Sequence, residues 1–167
     1  MIIQIILTLL AIWILFSIII PILIIPNVYF KKLQRQKTKE IERITKKLKN
    51  KSKEKTLKNI YNYIIHNYTG IEEKYKLAND FKLFQHNVDW NLKHKKQFLS
   101  CNLQNWMMIT LLIHTRQFTQ RDIKKRIHIT RYITIHQDLI VRVDNKRFHI
   151  DSFFKEFLAK FSMIKTP

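Results

Sequence analysis

Apolar residues run almost unbroken from Met1 to Ile25, interrupted only by Gln4, Thr8, Ser17 and Pro21. At ~1.5 Å of rise per residue, a helix of that length crosses a hydrocarbon core of roughly 30 Å. Pro26-Asn27 closes the run, and Tyr29, Phe30, Lys31, Lys32 and Arg35 follow where an interface would lie. No basic residue precedes the run and no small-x-small cleavage site follows it, which favours a retained anchor over a cleaved signal peptide. The positive-inside rule puts the lysine-rich side in the cytoplasm. The pattern therefore predicts a single-pass membrane protein with residues 1–30 as the transmembrane anchor and a cytoplasmic C-terminal domain.

Beyond the apolar run the pattern becomes helical. Ile41, Ile44 and Leu48 keep helical spacing, and Leu57, Ile60, Tyr61, Ile64, Ile65 and Tyr68 resume it more strongly up to Gly70. A basic helical connector is predicted over 31–56, leading into the first helix of a domain that occupies 57–167. Residues 70–99 hold several aromatics (Tyr75, Phe81, Phe84, Trp90, Phe98) without clean periodicity, as short helices and loops do. From Cys101, the positions Leu103, Trp106, Met107, Thr110, Leu111 and His114 predict a helix of about four turns with a core-facing stripe.

The period then changes to two. Ile127, Ile129, Ile133 and Ile135 alternate with His128, Thr130, Tyr132 and Thr134, which predicts a half-buried strand, with polar 121–125 as a connection. Leu139, Val141 and Val143 alternate again, Asp144-Asn145-Lys146 reads as a turn, and Phe148 and Ile150 lie on the return strand. Phe153, Phe154, Phe157, Leu158 and Phe161 predict a closing helix over 153–164. Helices first and antiparallel strands after indicate an α+β domain.

The chain has 31 Lys+Arg against 12 Asp+Glu, a formal charge of +19. Charge is densest from Lys31 to Lys58, where Glu40, Glu42 and Glu54 are the only acidic residues. Such a segment after a span favours anionic lipid, by roughly 1 kcal/mol per basic side chain near the surface, with Lys31, Lys32 and Arg35 nearest the headgroups. A solvated spacer is the plainer account of the same composition. Nucleic acid is the less favoured partner, because no aromatic residues interleave the basic stretch. With one Gly and three Pro, tight turns must rely on Asn, Asp and Lys. One cysteine excludes an internal disulfide and fits a reducing compartment.

That cysteine carries the candidate chemistry. Cys101 falls at a helix N-terminus, where unpaired N–H groups favour a thiolate. His136 lies on the following strand and Asp151 ends the next one. A hairpin turning at Asp144-Asn145 pairs Val143 with Lys146 and sets Asp138 opposite Asp151, which makes His136 and Asp151 diagonal neighbours. An imidazole there can take the thiol proton, and a carboxylate can hold the imidazole in the right tautomer. Each residue also has a plainer role: Cys101 as a small buried residue, His136 as a polar strand residue, and Asp151 as an N-cap for the Phe153 segment. Neither a cofactor nor a metal is called for: His66, His86, His94, His114, His128 and His149 show no His-x-x-x-His spacing with cysteine or carboxylate partners.

In three stretches the chain resembles the transglutaminase-like superfamily of papain-type thiol enzymes. These are Ser100-Cys101-Asn102-Leu103-Gln104-Asn105-Trp106-Met107-Met108-Ile109-Thr110-Leu111-Leu112, His136-Gln137-Asp138-Leu139-Ile140-Val141-Arg142-Val143, and Asp144-Asn145-Lys146-Arg147-Phe148-His149-Ile150-Asp151-Ser152. Tyr61-Asn62-Tyr63-Ile64-Ile65-His66-Asn67-Tyr68 also resembles the helix that often precedes the core. The likeness covers about residues 57–155 and is one of order and spacing. Leu99-Ser100 stand where the family usually carries a glycine, Gln137-Asp138 where a small residue and an aromatic are common, and Ser152 where proline often follows the aspartate. The resemblance implies a transglutaminase-like domain at 57–167, with Cys101 as nucleophile, His136 as general base and acid, and Asp151 orienting His136. Its substrate would be a protein or peptide, attacked at a carboxamide or peptide bond. The Cys101 N–H would be one oxyanion donor, with Gln104, Trp90 and Asn102 open as the second. Water would complete a hydrolysis, and an amine would complete a cross-link. Two other functions fit the same sequence: an inactive domain of this fold used for protein binding, and a basic membrane protein binding anionic lipid or nucleic acid through 31–58.

Overall fold

The computed structural model describes residues 2–15, 38–70, 88–129 and 135–161. Lys31, Lys32 and Arg35, proposed above to contact lipid, lie outside them.

The N-terminal helix α1 spans Ile2–Ile14, 13 residues with none buried. At ~1.5 Å per residue that is ~20 Å, short of the roughly 30 Å of a hydrocarbon core. Among the described residues no helix is long and apolar enough to cross a membrane. This corrects the expected transmembrane helix and leaves the single-pass location without support. The apolar run is 25 residues long in sequence, and its last ten residues lie outside the described ones.

Helix α2 (Lys39–Leu48) begins at Thr38, whose hydroxyl accepts the Ile41 N–H at 3.3 Å. Glu40 and Glu42 in its first turn and Lys46 and Lys47 in its last complement the helix dipole. Helix α3 (Lys53–Asn67) starts in the same way at Ser52, which accepts the Lys55 N–H at 3.3 Å. Where the spacing predicts a helical connector running on into the first helix of the domain, two helices stand, broken at 49–52. Thr56 fastens the break by accepting the Asn50 N–H at 2.9 Å, and Asn59 donates to the Leu48 carbonyl at 3.0 Å. Ile41 and Ile44 are buried in the same core as Leu57, Ile60 and Ile64. The core therefore takes in residues of the basic 31–56 stretch, where the spacing had predicted a connector.

After α3 come β1 (Tyr68–Thr69), α4 (Val88–Lys93) and β2 (Gln97–Phe98), with β1 and β2 paired in parallel. Helix α5 (Cys101–His114) packs against α2, α3, α4 and the large sheet. Every residue from Asn102 to Leu112 is buried, so α5 is a central helix without a solvent face rather than one with a single apolar stripe.

The large sheet is an antiparallel meander of β3 (Ile123–Ile129), β4 (Ile135–Val143), β5 (Lys146–Asp151) and β6 (Glu156–Phe161). Ile129 pairs with Ile135, so the alternation predicted as one strand over 127–135 belongs to two strands of a hairpin, and β3 already begins in the expected connection. Val143 pairs with Lys146 across the turn at Asp144-Asn145, where Asp144 takes a φ of 51°. Asp is one of the few non-glycine residues that tolerates this left-handed conformation.

The predicted closing helix over 153–164 is replaced by a turn at 152–155 and strand β6. Asp151 Oδ1 accepts the N–H groups of Phe153 and Phe154 at 3.1 and 3.0 Å. Lys155 then takes a φ of 59° and sends the chain back along β5. The cap predicted for Asp151 is present, but what it caps is a reversal. Phe157 packs on Tyr61 and Phe148, with ring centroids 5.0 and 5.5 Å apart, while Leu158 points to solvent. The result is an α+β domain with helices preceding an antiparallel sheet.

Candidate functional site

Cys101, His136 and Asp151 come from three elements and meet at one end of the large sheet. Cys101 is the first residue of α5, a free thiol of intermediate exposure. His136 is the second residue of β4 and Asp151 the last of β5, with 3% and 8% of their surfaces exposed. Cys101 is thus the most accessible of the three residues.

The hairpin register, ending at Leu139 opposite Ile150, places the start of β4 beside the end of β5. His136 Nε2 lies 2.6 Å from Asp151 Oδ2. With Asp151 Oδ1 held by the Phe153 and Phe154 N–H groups, the carboxylate has one oxygen committed to the backbone and the other to the imidazole. Nδ1 is the ring nitrogen left for the thiol. Burial works against charge on His136, but hydrogen bonds to Asp151 and Cys101 and the charges of both outweigh it and raise its pKa to about 9. The ring at neutral pH is accordingly an imidazolium, and an imidazolium beside a thiol favours the thiolate.

Two aromatic rings enclose the imidazole. Phe154 meets it edge-on with centroids 4.8 Å apart, and Phe153 lies at 5.7 Å. His128 on β3 also meets it edge-on at 5.2 Å. Beside them Arg126 Nε donates to both carboxylate oxygens of Asp138, at 2.9 and 3.1 Å. That pairing occupies Asp138, the one carboxylate on β4, and the acid that serves His136 is Asp151 on β5. Phe153 and Phe154 fit helical spacing, which hides their place beside the imidazole. The paired Phe153-Phe154, one residue removed from Asp151, was the available signal.

Neighbouring residues of α5 hold its first turn from two sides. Gln104 Nε2 donates to the carbonyls of Leu99 and Thr69, at 3.0 and 3.2 Å. Gln104 is fully buried and its donors serve the backbone, which removes it as an oxyanion donor. Asn105 Nδ2 donates to the Gln137 carbonyl at 2.7 Å, joining α5 to β4 next to His136. Trp90, the other side chain considered for the oxyanion, is stacked on His94 with centroids 3.9 Å apart. Gly70, the only glycine, meets the turn that carries Phe153. A Cβ there would run into the Phe153 carbonyl and lie 3.0 Å from its Cα, so the close approach requires glycine.

The arrangement can generate a nucleophile, protonate a leaving group and hold an imidazole in one tautomer. Among the described residues no group of three His, Cys, Asp or Glu side chains is arranged to hold a metal ion. Against known proteins, no family model, no curated protein and no solved structure matches this chain.

Proposed function

We propose that this protein is a thiol hydrolase or acyltransferase acting on peptide or carboxamide bonds, with Cys101 as nucleophile, His136 as acid and base, and Asp151 as the orienting carboxylate. The carrying observation is the buried relay in which His136 Nε2 is held 2.6 Å from Asp151 while Cys101 hydrogen-bonds the same ring. The order of the three groups along the chain, resembling that of transglutaminase-like enzymes, supports the same assignment.

Chemically, the Cys101 thiolate attacks the carbonyl carbon and forms a C–S bond, and the carbonyl electrons move to oxygen. The Cys101 N–H, at the start of α5, faces the developing oxyanion. The His136 imidazolium then gives its proton to the departing nitrogen as the C–N bond breaks, leaving a thioester and a neutral imidazole. Water or an amine then forms a C–O or C–N bond to the thioester carbon as His136 takes its proton. The C–S bond breaks, and thiolate and imidazolium are restored. Asp151 stays ionised throughout and keeps Nε2 protonated.

Alkylation of the single thiol tests the proposal. Iodoacetamide at pH 6–7 should label Cys101 about tenfold or more faster than an unactivated thiol, and His136→Ala should abolish the excess. Slow labelling that does not change in His136→Ala would refute it.

A further inference from the structure

The three catalytic groups sit on separate elements, and their convergence depends on how α5 docks against β4. One side chain links the two elements next to the reacting atoms. Asn105 lies one turn beyond Cys101 on α5, and its amide donates to the Gln137 carbonyl, next to His136, at 2.7 Å. The same amide nitrogen is 3.4 Å from Gln137 Oε1. Asn105 is 1% exposed and Gln137 3%, so no water competes for the bond, and a buried hydrogen bond of this kind is costly to leave unmade. The apolar contacts between α5 and the sheet are non-directional and hold the two elements together without setting one register. A hydrogen bond is directional and does set one.

We propose that Asn105 is a positioning residue, whose bond to the Gln137 carbonyl holds Cys101 within hydrogen-bonding reach of His136. The inference rests on the thiol chemistry proposed above, but its geometric content can be measured independently of it. Without the bond α5 is free to shift along β4. A shift of about 1 Å is enough to lose a productive contact between reacting groups. Asp151 and His136, both on the sheet, keep their own contact when this happens. The thiol–imidazole contact is the one that fails.

The test uses the full chain and four variants: Asn105→Leu, which is close in size and removes the donor; Asn105→Ser, smaller and free of overpacking; Cys101→Ala; and Thr110→Val as a control. Thr110 spends its hydroxyl on the Trp106 carbonyl of the same helix at 2.8 Å, so Thr110→Val removes a buried hydrogen bond of α5 without touching the link to β4. The titration midpoint of the His136 ring is followed by NMR, alongside iodoacetamide labelling at pH 6 and pH 9. Either Asn105 variant should move the His136 midpoint down as Cys101→Ala does, and should lower the pH 6 to pH 9 ratio of labelling rates about tenfold, while Thr110→Val changes neither. A wild-type His136 midpoint in a folded Asn105 variant, or an equal effect of Thr110→Val, overturns the proposal. Ordinary thiol reactivity in the wild type defeats the catalytic function instead. The His136 midpoint then still decides whether Asn105 sets the contact.

Discussion

His136 and Asp151, fifteen residues apart and on adjacent strands, share a hydrogen bond of 2.6 Å at a site where both are nearly inaccessible to water. The carboxylate is fixed from its other side by two backbone N–H groups of the turn it precedes. Its direction is therefore set by the chain itself, and the imidazole is oriented by a group that does not rotate.

Asp151→Asn should lower the titration midpoint of His136 from about 9 toward the ordinary 6.5, because the amide removes both the charge and the strongest acceptor. NMR of the ring protons reads this directly. The variant should retain the turn at 152–155, since the Asn side-chain oxygen still accepts from Phe153 and Phe154.

Stability should depend on pH through the same group. The folded His136 pKa of about 9 lies above its unfolded value of 6.5, so its contribution is fully present below pH 6.5. It is lost as the pH rises through 9, because the folded state binds the extra proton across that window. The groups that face the ring are Cys101 from α5, Asp151 from β5, Phe153 and Phe154 from the turn, and His128 from β3. A raised midpoint of this size is on the order of 3 kcal/mol. Urea unfolding should show stability falling between pH 6.5 and 9, and His136→Ala should flatten that slope.

Gly70→Ala should destabilise the fold by about 1–3 kcal/mol through overpacking, since the added carbon meets the Phe153 backbone. The damage should extend to the site, because the displaced turn carries Asp151's two N–H partners. Thermal unfolding together with the His136 midpoint would separate a local shift from a global loss.

Ile41→Ala should cost about 2–5 kcal/mol, as for a large core side chain, because Ile41 is fully buried in the main core. Denaturant unfolding would measure it. A cost near zero would mean that α2 is a detachable connector after all.

How far the sequence could be read depended on the range of each determining contact. The turn at Asp144-Asn145 and the alternation beside it predict Val143 opposite Lys146, as observed, because hairpin register is local. The start of α5 at Cys101 was legible for the same reason. The 153–164 segment misled because Phe153, Phe154, Phe157, Leu158 and Phe161 fit helical spacing. In the fold, Asp151 draws the chain into a turn, and the open edge of β5 recruits it as a strand. Residues 127–135 misled because the alternation continues from β3 into β4 with no glycine or proline to mark the boundary.

By itself, then, the sequence determined the helix-then-sheet order, the β4–β5 register and the placement of one thiol at a helix start. Periodicity and turn chemistry act over a few residues and need no knowledge of what lies across the core. Only the tertiary structure decided that α5 is buried all round, that α2 belongs to the core, that Phe153 and Phe154 enclose the imidazole, and that Asn105 joins the thiol's helix to the histidine's strand. Those outcomes depend on contacts between residues far apart in the chain, which packing selects and no local pattern encodes.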